Sequence, residues 1–251
     1  PIVMLAAASA LVAICVAAAK SCEVLVESNN GSQDGPIDPI EVGPAVNRRY
    51  VRAAWVGNFI SAGVMTVIRS LFADTATDIF RMSGTLYGLA IGTVNVCRTL
   101  SFVILRHWPN WHYRKGIYLG GCSLLAGGLA TFVVAAFMPH ALGVALVFIA
   151  FAAAGASIGI SYYSSLFYTV HNDRAAESNT RLHEAVIGAG GAVAVFGSGA
   201  ASRVSAAASG SVAALGPFAP LAPFALCAMT VICLLYTSPS PRDRTRSRMP
   251  S

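Results

Sequence analysis

Seven stretches of the chain are apolar for about twenty residues at a time: 2–19, 53–72, 84–105, 116–138, 141–168, 184–203 and 213–235. A helix needs about 20 such residues to cross a hydrocarbon core of about 30 Å, and only a structure that satisfies its own backbone can sit there. The runs therefore predict an all-α, polytopic transmembrane bundle of about seven helices. Composition agrees, with 55% hydrophobic and only 11% charged residues. Several runs are rich in Ala and Gly, and small residues are what let helices approach closely in lipid. Gly84, Gly88 and Gly92 recur every fourth residue, as do Gly116/Gly120 and Gly155/Gly159; each stripe predicts a close helix contact.

The cations lie at the ends of the runs, without the clustered basic face that a nucleic-acid partner requires. Placing the connections alternately on two sides collects Lys20, Arg48, Arg49, Arg52, Arg106, Arg114, Lys115, Arg174 and Arg181 on one of them. The other collects Arg69, Arg81 and Arg203. The positive-inside rule then puts the 20–52, 106–115 and 169–183 connections in the cytoplasm. The first of these is rich in Gly, Pro, Asn and acids, has no helical period and reads as a flexible linker over 21–50. Its Asn30-Gly31-Ser32 sequon falls on the cytoplasmic side, away from glycosylation. Cys15, Cys97, Cys122 and Cys227 sit within apolar runs without CxxC or metal-type spacing, so they read as small buried hydrophobes.

One helix, a long cytoplasmic linker and six further helices resemble the major facilitator superfamily, in which two six-helix bundles are joined by a cytoplasmic loop. "LRHWPNWHYRKG" falls where that superfamily has a short basic loop between helices eight and nine. "GISYYSSLFYTVHNDRAAESNTRLHEAVIGAGGAV" is similar to its helix ten, loop and helix eleven. The superfamily's best-known loop motif, between helices two and three, has no counterpart here. The resemblance implies helices six to twelve: residues 1–20 closing an N-terminal bundle and 51–232 forming the C-terminal one. It further implies a secondary transporter of a small solute in a bacterial-type cytoplasmic membrane. Transport would proceed by alternating access, coupled to ions or protons, with 53–72, 84–105, 141–168 and 184–203 lining the cavity. The alternative is a complete seven-helix receptor or sensor.

The last stretch differs in kind. Residues 233–243 and 247–251, "CLLYTSPSPRD" and "SRMPS", resemble translated sequencing adapters, so 233–251 is expected to be artefactual rather than a basic tail. Without its four Arg and one Asp, the formal net charge of +6 falls to +3. The start at Pro1, inside an apolar run, is expected to mark a fragment.

Few residues within the runs can carry chemistry. Arg98 is a cation inside a span, which costs several kcal/mol without a partner, water or the interface. Either it faces the bundle interior with Asn95 one turn away and binds an anionic group or a carboxylate, or it snorkels about 10 Å to the headgroups past Leu105. Glu184, with His183 beside it, stands at the start of the run 184–203. It is a candidate proton relay and partner for Arg98, although an acid in a helix's first turn is also favoured by the helix dipole. Asn58, inside its span, must hydrogen-bond a neighbouring helix, a substrate or water. Of the tyrosines in "SYYSSLFY", Tyr163 and Tyr168 suit the interfacial belt and Tyr162, the deepest, suits a cavity wall. Gly155-Ala156-Ser157-Ile158-Gly159 matches GxSxG, but that motif needs a strand–turn–helix, so Ser157 reads as packing and the chain as no enzyme. The sequence has no zinc-protease HExxH, no phosphate-binding loop and no dinucleotide fingerprint, and so no cofactor is implied.

Overall fold

The computed structural model describes residues 44–170 and 176–209. These form five helices: α1 (Pro44–Asp78), α2 (Gly84–His107), α3 (Lys115–Ala135), α4 (His140–Val170) and α5 (Ala176–Ser209). The α2–α3 connection holds one 3₁₀ turn, Pro109–Trp111. Four helices, over Tyr50–Asp78, Gly84–His107, Gly116–Ala135 and His140–Val170, are long and apolar enough to cross a membrane, as in a multi-pass membrane protein. The apolar run 184–203 lies on α5. Five helices among the described residues thus stand against the seven expected. The runs 2–19 and 213–235, most of the linker and the proposed adapter tail lie outside the described residues.

Two helices overrun the sequence-derived bounds by several residues at each end. α1 begins at Pro44, inside the expected linker, and continues to Asp78, which leaves only residues 79–83 between the helices of the runs 53–72 and 84–105. Proline suits a first helical position, since its fixed φ is already helical and no intrahelical partner awaits its missing N–H. α5 begins at Ala176, eight residues before the apolar run, because a helix continues through polar residues once it is nucleated. α2 is bounded by local chemistry: Ser83 caps it by accepting from the Leu86 amide at 3.3 Å, and Arg106 and His107 complement the negative end of its dipole.

α4 is the hub, packed against α1, α2, α3 and α5, and α5 lies chiefly along α1. Close approach occurs where glycine removes the side chain. A Cβ on Gly159 would lie 2.7 Å from the Arg98 carbonyl oxygen, and one on Gly155 would overlap the backbone of Val94. The α2–α4 seam is therefore set by the Gly155/Gly159 pair. The other two stripes do not behave this way: a Cβ at Gly84, Gly88, Gly92, Gly116 or Gly120 would meet nothing within 4 Å. α2 also turns Leu89, Val96, Leu100, Val103 and Ile104 outward, an apolar surface suited to lipid.

Buried apolar residues separate into two clusters. One is centred on Phe72, Phe132 and Phe151, with Phe72 and Phe151 rings 4.5 Å apart. The other gathers Tyr50, Leu105, Trp111, Tyr113 and Tyr168 at the end bearing the α2–α3 connection. In α1 the clusters meet the chain at Ala54 and Val64, in α2 at Val94 and Leu105, in α4 at Ile158 and Tyr168. Between those limits lie the buried polar residues Asn58, Ser61, Ser101, Ser161, Ser164 and Ser165, so a polar band crosses the bundle between two apolar layers.

Candidate functional site

The band is organised on one stretch of α4, Ser161–Tyr162–Ser165. Ser165 is fully buried, and its hydroxyl lies 2.8 Å from Nδ1 of His183, which α5 contributes and which is also fully buried. The edge of the Tyr162 ring meets the same imidazole at a centroid distance of 5.4 Å. From α2, the Arg98 guanidinium lies over the Tyr162 ring at 5.0 Å and over Phe102 at 5.6 Å. Tyr162 thus stands between an arginine and a histidine that are 85 residues apart in sequence. Cation–π attraction of this kind contributes about 0.5–2 kcal/mol and directs the guanidinium toward α4.

α1 completes the band. The Trp55 indole donates to Thr169 Oγ1 at 3.1 Å, and Phe72 meets Phe151, so α1 and α4 run in opposite directions with a fixed register. One turn along from that anchor, Asn58 on α1 and Ser165 on α4 occupy the same level, and Ser61 follows at the level of Ser161 and Tyr162. Asn58 and Ser61 are 2% and 1% exposed.

Four buried polar atoms in the band have no hydrogen-bond partner: Asn58 Nδ2, Ser61 Oγ, Arg98 Nε and His183 Nε2. Each unmet buried group costs about 1–3 kcal/mol. Four on four side chains in one layer make the band the least self-satisfied part of the described residues.

The structure brings together Arg98, Tyr162 and His183, and register places Asn58 at the level of Ser165. Asn95 and Glu184 stand at the band's margin, Glu184 approaching only His183 among the described residues. Asn95 Nδ2 donates to the Ile91 carbonyl of its own helix at 3.1 Å, which occupies it within the turn. Glu184 lies two turns into α5 rather than in its first turn, so the dipole explanation falls away. Its side chain is 65% exposed, and its carboxylate stands 4.0 Å from His183 Nε2, beyond hydrogen-bond reach. No ion pair joins Arg98 to Glu184. Of the adjacent His-Glu pair it is the histidine that turns inward, because neighbouring positions on a helix point about 100° apart.

Ser157 is buried and donates to the Gly121 carbonyl at 2.7 Å, tying α4 to α3, and the histidine faces Ser165, two turns away. Ser61 and Phe102 escaped the sequence reading, although Ser61 follows Asn58 by three residues and Phe102 follows Arg98 by four, spacings that share a helix face. Arg69, Asp74, Asp78 and Arg81 are exposed at the far turn, as a solvated cluster would be.

A second feature also escaped the sequence. The loop "HWPNWHY" is an aromatic knot. Trp111, 1% exposed, donates to the Leu105 carbonyl at 2.8 Å, and His112 stacks on Phe167 at 4.2 Å. Tyr113 adopts a left-handed backbone, φ 55°, which L-residues avoid. Its carbonyl accepts from the Tyr50 hydroxyl and its amide donates to the Tyr168 hydroxyl at 3.0 Å, so two side chains hold that conformation. Burial pushes the Tyr113 phenol above its ordinary pKa. Tyr168, expected at an interfacial belt, is instead 5% exposed inside this knot.

Compared with family models, with characterised proteins and with solved structures, the chain matches none.

Proposed function

We propose that the chain is a secondary transporter of the major facilitator type, moving a small solute across the cytoplasmic membrane by alternating access. The observation that carries this reading is the polar band: four buried and unpartnered polar atoms between two apolar layers, in a bundle whose helices are long enough to span lipid. Intramembrane polar groups are costly, and those that remain unpaired mark sites of function rather than packing. The residues drawn into the band come from α1, α2, α4 and α5, the helices that carry the four runs assigned to the cavity by resemblance, while α3 packs outside them on α4.

Arg98, Tyr162 and Asn58 are the solute-facing groups in this account, and His183, with Glu184 beside it, is the coupling group. Residues 21–50 would lie on the cytoplasmic side, and an N-terminal six-helix bundle would supply the facing half of the cavity. Transport then requires that solute binding favour one closure over the other.

The test is solute entry into proteoliposomes containing the chain, screened with sugars, amino acids, carboxylates and amines against protein-free vesicles. Entry of at least one class, lost in Tyr162→Ala, supports the reading. Permeability equal to that of protein-free vesicles for every class contradicts it.

A further inference from the structure

The unpartnered atoms of the band share one chemical character. Arg98 Nε and Asn58 Nδ2 are donors only. His183 becomes one as well. Among the described residues Ser165 makes one hydrogen bond, to His183 Nδ1, and its hydroxyl hydrogen meets no other acceptor there. Ser165 therefore donates to Nδ1, which leaves the neutral imidazole carrying its hydrogen on Nε2. Ser61 Oγ, the fourth, can donate too. The band thus holds three obligatory donors and one optional donor with nothing to receive them.

Charge points the same way. Asp74 and Asp78 stand exposed at the far turn, and the Glu184 carboxylate is turned outward. Among the described residues, the cation of Arg98 is met by the faces of two aromatic rings and by no carboxylate. Hydroxyls and amides could satisfy donors, but only an anion also neutralises the charge of a half-buried guanidinium whose Nε is shut off from solvent.

We infer that the band is a binding site for a small organic carboxylate, an inference that rests on the transporter reading for its physiological role but not for the binding itself. Two carboxylate oxygens offer about four lone-pair directions, matching the number of donors in the band. Arg98 contributes the charge, Asn58 and His183 Nε2 orient the second oxygen, and Tyr162 offers its ring as an apolar wall to the body of the ligand. A neutral sugar, which brings as many donors as acceptors, would leave Arg98 uncompensated.

The experiment uses the full chain in nanodiscs, with thermal unfolding followed by tryptophan fluorescence in the presence of lactate, succinate, inorganic phosphate or glucose. Lactate or succinate is expected to raise the unfolding temperature in a saturable way, and phosphate and glucose to leave it unchanged. Arg98→Gln should weaken that affinity by roughly tenfold or more and Arg98→Lys by less. Asn58→Asp, which places a negative charge among the donors, should abolish it while leaving the helical circular dichroism intact. Stabilisation by glucose or phosphate alone, by none of the four, or by a carboxylate whose affinity survives both Arg98→Gln and Asn58→Asp overturns the inference. A chain that binds lactate or succinate yet admits no solute into vesicles contradicts the transporter reading and leaves this inference standing. A chain that admits glucose but binds no carboxylate does the reverse.

Discussion

The aromatic knot and the polar band lie one to two helical turns apart, and both bury polar groups from several helices, yet they treat them oppositely. In the knot, the Tyr50 hydroxyl, the Trp111 indole and both backbone groups of Tyr113 are matched, and the Tyr118 hydroxyl donates to the Ala53 carbonyl at 2.8 Å. In the band, four atoms are left over. Matched polar groups cost little and fix geometry, whereas unmatched ones lower stability and persist only where something other than stability selects them. The knot is accordingly the part that holds α1, α2 and α4 in register, and the band is the part that uses that register.

The comparison can be broken by substitutions whose effects on stability should differ in sign. The largest change is expected in the knot. Trp111→Ala removes the largest fully buried ring and strands the Leu105 carbonyl, so it should cost about 3–5 kcal/mol in thermal or denaturant unfolding. A loss below about 1 kcal/mol would mean that the knot is an ornament of the loop. Tyr168→Phe is subtler. It deletes the acceptor for the Tyr113 amide and should cost about 1–3 kcal/mol, with little change in packing.

In the band the sign reverses. Ser61→Ala removes a buried hydroxyl that has no partner and should raise stability by about 1 kcal/mol. A fall of that size would reveal a partner that the packing hides. The smallest effect concerns pH. Because burial holds the Tyr113 phenol above its ordinary value of 10.0, its contribution to stability is fully present below that pH. It is lost as pH rises, since the unfolded chain then ionises first. Melting temperatures across the alkaline range should fall more steeply for the parent than for Tyr113→Phe, and parallel curves would remove the burial argument.

The spans were legible in the sequence because lipid imposes a length and a polarity that composition alone can meet, and four of the runs lie on helices of spanning length. Helix ends were less legible. Pro44 and Ala176 begin their helices in polar sequence, where nothing apolar marks the turn. Arg98, Tyr162, His183 and Asn58 could be singled out one by one from their cost in a span. Their assembly could not, because it depends on the α4–α5 pairing that turns His183 inward and Glu184 outward. Glycine stripes misled for a similar reason. Gly155/Gly159 and Gly84/Gly88/Gly92 have the same spacing, but among the described residues only the first has a helix against it. The aromatic residues of the loop were visible as letters and read as basic interface, since Tyr50 and Tyr168, which clamp Tyr113, arrive from 63 and 55 residues away.

The unfolding temperature of Asn58→Leu in nanodiscs, with and without lactate or succinate, decides whether the band is a binding site. If the band is a site kept unsatisfied for a ligand, replacing its orphaned amide with an apolar side chain of similar size raises the ligand-free unfolding temperature and removes the ligand-induced increase. A lower ligand-free unfolding temperature, with the ligand effect unchanged, would show that Asn58 is structural glue and would contradict the account.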